Sequence, residues 1–332
     1  MATENAAKKT GKLAGLKLSP GWSVSELTLY IGAIAIIVVF TVVCSAAGKN
    51  FLTMTNIQNI ITQSAVIAII AIGASLVILT GGIDLSVGSI VGFVGIFAGI
   101  LIKSGAPVWL ACLAAVGAGI VFGLINGILI SVGKVPAFIT TLGAMQAARG
   151  LALLINSGKP ISSFPSELSA IMNTRILGIP MPIIYVFILY TIMIVVMGYT
   201  RFGRHLYAVG GNPHAAKLSG VRTRRIEISA YVLSGMFAAI GGILLLSRLS
   251  YADPNAGSGY EMNAIASAVI GGISLSGGKG KIGNTLVGAL ILGTLTCGLQ
   301  ILNVATYYQT IITGIVIVAA VFADKAKERK AE

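Results

Sequence analysis

From residue 28 to residue 323 the sequence is a series of apolar runs, each close to the length that carries a helix across a bilayer. Hydrocarbon about 30 Å thick, at about 1.5 Å per residue, asks for roughly twenty residues. The runs are 28–47, 64–80, 85–102, 108–132, 138–156, 182–199, 227–247, 262–275, 284–302 and 306–323. In lipid a backbone must satisfy its own hydrogen bonds, so the expectation is an all-α polytopic membrane protein with about ten transmembrane helices. The averages agree: 56% of the residues are hydrophobic and 10% charged, and the mean hydropathy is +0.93, far from the balance of a soluble domain.

Charge gives the orientation. A net charge of +13 would suggest nucleic acid in a soluble chain, but the basic residues sit at the ends and in short connections, where contact with membrane lipid and orientation account for them. No nucleic-acid partner is expected. Lys8, Lys9, Lys12 and Lys17 at the head and Lys325, Lys327, Arg329 and Lys330 at the tail place both termini in the cytoplasm by the positive-inside rule. The stretch 200–226, with Arg201, Arg204, Lys217, Arg222, Arg224 and Arg225 and the acid Glu227 at its edge, falls inside by the same rule, and six crossings return the chain there. The lysine-rich head followed by an apolar run imitates a signal peptide; because 28–47 can span and further spans follow, an uncleaved first helix is expected. The domain plan is a cytoplasmic tail 1–27, one transmembrane domain 28–323 and a basic cytoplasmic tail 324–332.

The outer connections 48–63, 103–107, 157–181, 248–261 and 303–305 are too short for a domain. Residues 51–62, FLTMTNIQNIIT, read as too short and polar to span, suited to the interface or to re-entry. The run 262–275 is also short and leads into SGGKGKIGN, so a broken or re-entrant helix is expected there. Gly119, Gly123 and Gly127 recur every fourth residue, as do Gly88 and Gly92, then Gly95 and Gly99; this spacing lets helices approach closely within one bundle. Cys44, Cys112 and Cys297 each lie in an apolar run, far apart and without ligand spacing, and read as small buried hydrophobes.

Two familiar strings are accidental. Gly278, Gly280 and Gly283 spell GxGxxG without a βαβ unit around them. Residues 275–278 spell LSGG, the opening of the ABC ATPase signature, yet the chain holds no GxxxxGK[ST] loop and cannot be its own ATPase. There is no HExxH pair and no Ser/His/Asp constellation, and the two histidines, His205 and His214, both lie in the basic stretch. No catalytic residue, metal site or resident cofactor is expected.

Three sets of residues remain as candidates. In VGGNPHAAKLSGV, Asn212 is a good N-cap, Pro213 suits the first helical position and Gly220 can stop the helix after Ser219. Ala215, Ala216 and Leu218 would give this two-turn helix a small apolar side, either for a groove on another protein or for capping the bundle. In GGIDLSVG, residues 81–88, Asp84 is the one acid between residues 27 and 166. Asp84 or Ser86 as a cap of the following helix is the favoured reading over substrate contact. A related string, GGISLSGG, recurs at 271–278 and hints at internal duplication. Arg149 is expected to snorkel to the outer surface, with lining of a path beside Gln146 as the alternative. Asn126, Gln300 and Gln309 can bond helices together as readily as line a path.

These strings, together with FITTLGAMQAARGLALL at 138–154, FGRHLYAVGGNPHAAKLSGV at 202–221 and the run from Arg248 to Gly293, resemble the inner-membrane permeases of ribose-type ABC importers for monosaccharides. The likeness covers the chain from about residue 50 to its end. It implies a dimeric pore made with a second, identical copy in a bacterial plasma membrane. It implies a separate cytoplasmic subunit that uses ATP and Mg, and a periplasmic or lipid-anchored sugar-binding protein outside. It also implies that Gly211, Asn212, Pro213, His214, Ala215, Ala216, Lys217, Leu218, Ser219 and Gly220 form the coupling helix on which that ATPase acts. Related permeases carry nucleosides or branched-chain amino acids. An ion-coupled transporter would need buried acids in its spans, where only Asp84 stands near an edge, and a scaffold would leave the coupling helix without a use.

Overall fold

The computed structural model describes residues 24–331. The head lysines, Lys8 to Lys17, lie outside the described residues. Helices follow in order: α1 (Val24–Ala46), α2 (Met54–Leu79), α3 (Val87–Lys103), α4 (Val108–Ser131), α5 (Ala137–Leu154), α6 (Ser166–Asn173), α7 (Met181–Tyr199), α8 (Arg201–Gly211), α9 (Pro213–Leu218), α10 (Thr223–Leu249), α11 (Tyr260–Ile270), α12 (Ile282–Ile301) and α13 (Thr306–Ala331). Between α6 and α7, Arg175–Ile176 pairs antiparallel with Ile179–Pro180.

Each of the ten apolar runs falls on a helix, but seven of the helices, α1, α2, α4, α5, α7, α10 and α12, are long and apolar enough to cross a membrane. The others fall short. α3 has 17 residues, the apolar part of α13 is Thr306–Ala319, and α11, with 11 residues, is only about 16 Å long. Non-helical backbone flanks α11 on both sides, over 250–259 and 271–281, so the expected break is present. α13 continues through 324–331, so the stretch expected as a separate tail extends a helix.

α2 is the axis of the bundle. Every residue from Ser64 to Leu79 is buried, the pattern of a helix surrounded on all sides, and α10, α12, α11 and α7 pack around it. The expectation for 51–62 is corrected here, because residues from Met54 onward are the first turns of α2. Thr53 caps the helix by accepting from the Asn56 N–H at 3.2 Å, and the Asn56 amide donates to the Phe51 carbonyl at 3.0 Å.

The glycine stripe of α4 lies on α10. A Cβ on Gly123 would collide with the Tyr231 carbonyl, one on Gly127 would lie 2.9 Å from the Ile228 Cα, and one on Gly119 would lie 2.5 Å from the Gly235 carbonyl. Close backbone packing within one bundle is the outcome, as the spacing predicts. α6 seats Leu168 and Met172 against α10, where the Ser247 hydroxyl donates to the Leu168 carbonyl at 2.6 Å and accepts from the Met172 N–H at 3.0 Å. Cys44 and Cys297 are buried and Cys112 half-buried; all three are free.

Candidate functional site

The basic stretch 200–226 folds as two helices where one was expected. The Thr200 hydroxyl caps α8 by accepting from the Gly203 N–H at 3.4 Å, and Gly203, Leu206 and Val209, spaced by three, turn into the bundle. α9 follows at once. Asn212 Oδ1 accepts from the Ala215 N–H at 3.0 Å, and Pro213 takes the first helical position. Gly220 ends the helix at φ +82°. Its N–H bonds to the Lys217 carbonyl and the Val221 N–H to the Ala216 carbonyl, each at 3.0 Å, which is the Schellman arrangement.

The apolar side of α9 is divided, which corrects the expected single face. Ala216 turns into the protein, while Ala215 is exposed and Leu218 is 78% exposed. Positions three apart share a helix face and adjacent positions do not, so Ala215 and Leu218 point outward together. His214, Lys217 and Ser219 are exposed beside them, as are Arg201, Arg204, Arg222, Arg224 and Arg225.

The joint between α8 and α9 rests on bare backbone. A Cβ on Gly210 would collide with the Leu79 carbonyl, and one on Gly278 would lie 2.6 Å from the Gly211 nitrogen. The Gly278 N–H donates to the Leu79 carbonyl at 3.0 Å, and the Tyr207 hydroxyl donates to the Gly280 carbonyl at 2.8 Å. Burial pushes the Tyr207 phenol up, which keeps it a donor. The related strings GGIDLSVG and GGISLSGG fall on and beside the turns 80–86 and 271–281, and the two turns meet the α8–α9 joint in one place, where a Cβ on Gly277 would lie 2.9 Å from both the Gly210 carbonyl and the Gly81 nitrogen. At the other edge of the second turn, Lys281 Nζ lies 2.7 Å from Glu26 Oε1 on α1.

Asp84 stands inside the bundle, 1% exposed, and not at its edge. It does not cap α3 either. Its Oδ1 accepts from the Ser86 N–H at 3.0 Å and the Ser86 hydroxyl at 2.6 Å, while Oδ2 accepts from the Ser234 hydroxyl at 2.8 Å. Ser86 in turn accepts from the Asn126 amide at 3.0 Å. A turn closed two residues ahead takes the carboxylate away from the first helical N–H groups and aims it across the bundle at α10. Beside this network the Asn126 Oδ1 and the Tyr231 hydroxyl are buried without a hydrogen-bond partner among the described residues.

Arg149 does not snorkel. Its guanidinium donates to the carbonyls of Pro254 and Ala256, the latter at 3.1 Å, and so ties α5 to the connection between α10 and α11. Gln146, one turn earlier on α5, is exposed. Gln300 accepts from the Gln63 amide at 3.1 Å, and Gln309 donates to the Val304 carbonyl at 2.7 Å. The candidates therefore separate: Asp84, Ser86 and Asn126 form one buried cluster, Arg149 belongs to another contact, and the two glutamines bond locally or to a neighbouring helix.

A family model described as branched-chain amino acid transport system / permease component matches residues 56–321. The chain belongs to this permease family. It is 42% identical to the ribose import permease protein of Escherichia coli strain K12 over 299 residues, 89% of this chain and 93% of that one. It is 42% identical to the Bacillus subtilis strain 168 ribose import permease over 291 residues, 87% and 90% of the two chains. With the Escherichia coli K12 D-allose transport system permease protein it shares 38% identity over 282 residues, 85% and 86% of the chains. No solved structure matches.

Three residues of the candidate site escaped the sequence reading: Gly210, Tyr231 and Ser234. The adjacent pair Gly210 and Gly211 inside a helical pattern was a usable sign of close approach. Nothing local connects Ser234 with Asp84 across 150 residues.

Proposed function

We propose that this permease is the membrane-spanning subunit of an ATP-driven importer, that it moves a monosaccharide inward across a bacterial plasma membrane, and that it pairs with a second copy of itself. The observation that carries this reading is the 42% identity with ribose import permeases over most of both chains. Likeness to proteins named for allose and arabinose widens the class from one pentose to small sugars. The family's own description favours branched-chain amino acids as a second reading. A neutral sugar asks for hydrogen-bond partners and no counter-charge, which suits spans with few ionised groups.

The chain crosses ten times with both ends in the cytoplasm, which places α8, α9 and the turns 80–86 and 271–281 on one side. A separate subunit binds ATP and Mg there, against Ala215, Lys217 and Leu218; this chain needs no cofactor of its own. Displacement of α9 passes through the Gly210–Gly211 joint to both turns, and from them to α2, α3, α11 and α12. Because that contact is backbone on backbone, it transmits movement without a flexible side chain between. A binding protein outside delivers the sugar and sets most of the selectivity, because a pore that held sugar tightly would release it slowly.

The test is reconstitution of the tagged permease with the ATPase and binding protein recovered with it from detergent-solubilised membranes. ATP-dependent uptake of ribose, allose or arabinose is expected; uptake of leucine in place of any sugar would transfer the assignment to amino acids. Uptake that needs an ion gradient and no ATPase would overturn the importer.

A further inference from the structure

Between α10 and α11 the chain is non-helical from 250 to 259, yet it does not stay at the end of the bundle. It descends along α3. The carbonyls of Pro254 and Ala256 lie 2.9 Å and 2.7 Å from where a Cβ on Gly92 would stand, and the Gly257 carbonyl lies 2.6 Å from where one on Gly88 would stand. Gly88 and Lys103 are separated by 15 residues of α3, so the segment reaches about 22 Å below the end of that helix. Irregular backbone at membrane depth is tolerated only where it is buried in protein or lines a water-filled cavity.

One side of the segment is buried in protein. Pro254 and Gly257 are buried, Arg149 holds the Pro254 and Ala256 carbonyls, the Asn255 N–H donates to Asp253 Oδ1 at 2.7 Å, and the Gly259 N–H donates to Glu261 Oε1 at 3.2 Å. The other side is open, with Asn255 and Ser258 exposed. Lipid cannot satisfy an amide, a hydroxyl and the bare backbone between them. We infer that residues 253–259 line the hydrated path for the transported solute, with Asn255 and Ser258 facing it and Arg149 as the positioning residue that holds the segment against α3. The inference rests on the monosaccharide reading in one respect: an amide and a hydroxyl both donate and accept, as sugar hydroxyls require.

The test uses the full-length permease with its ATPase and binding protein in membranes, after Cys44, Cys112 and Cys297 have been replaced and uptake retained. Single changes Asn255→Cys and Ser258→Cys are exposed to a charged, membrane-impermeant methanethiosulfonate reagent. Both are expected to react, as a Lys159→Cys control does, while Ile192→Cys on the apolar surface of α7 stays unmodified. Arg149→Met should open Ala256→Cys to the reagent and lower uptake on the order of tenfold at unchanged membrane abundance, the scale of one lost coupling contact. Arg149→Lys, which still donates to a carbonyl, should restore most of both readouts. Failure of both 255 and 258 cysteines to react while the Lys159 control is labelled would overturn the path. Equal shielding of Ala256→Cys in Arg149→Met would overturn the positioning role. Labelling of both cysteines in a permease that imports no sugar would leave the path standing and remove the sugar.

Discussion

Asp84 shows how a single carboxylate can be held inside an apolar bundle: its oxygens accept one backbone and two hydroxyl hydrogen bonds from Ser86 and Ser234. Ser234→Ala would leave Oδ2 without its donor, and a loss of about 1–3 kcal/mol is expected for a buried acceptor so exposed. Thermal unfolding of the purified protein in detergent would register it as a lower midpoint. Tyr231→Phe runs the other way. The Tyr231 hydroxyl is buried without a hydrogen-bond partner among the described residues, so its removal should leave the same midpoint unchanged or raise it. Glycines separate just as sharply: Gly123→Ala meets the Tyr231 carbonyl and should prevent accumulation in the membrane, whereas Gly117→Ala, with nothing within 4 Å of the added methyl, should be tolerated. At this scale the sequence was legible in part. The oddity of a lone acid at 84 was plain, but its burial was not, because its second partner stands 150 residues away. The small-residue stripe of α4 was legible in full, since its spacing alone marks a face for close packing.

Among the elements, α9 was the most legible, because caps are local chemistry: Asn212, Pro213 and Gly220 each act within one turn. What the local signals did not reveal was the joint beneath it, where Gly210 meets Leu79 and Gly278 across the bundle. Ala215→Glu would place a charge on the outward side of α9, at a position already exposed. Uptake should be abolished while membrane abundance holds, with the ATPase lost from the purified complex; normal uptake would count against the coupling role. Gly220→Pro should have the same effect, because the position requires φ +82° and proline is fixed near −65°. The element boundary near 54 was misread for a physical reason, since polar residues that look like an interruption can start a helix when their side chains bond within it, as Thr53 and Asn56 do.

For the molecule as a whole, the apolar runs predict where the membrane helices lie better than how long they are, because length depends on how the chain turns inside the bundle. α3 begins, and α11 begins and ends, against other backbone, so neither has the length of a full crossing. A topology map should place Lys217→Cys within reach of a thiol reagent only from the cytoplasm and Lys159→Cys only from outside; the reverse pattern for either would redraw the ten-crossing plan. The burial of α2 also bears on how the protein is made. α2 ends at Leu79, while α10, its principal neighbour, is complete only at Leu249. The ribosome adds about 5–20 residues per second, so roughly ten to thirty seconds separate the two. For that interval the helix that will become the most enclosed has only lipid and the early segments around it, and the mean hydropathy of 2.2 over its most apolar 18 residues makes the wait inexpensive. A polar substitution on α2 that the finished fold could accommodate would still act during synthesis, before the residues that would satisfy it exist.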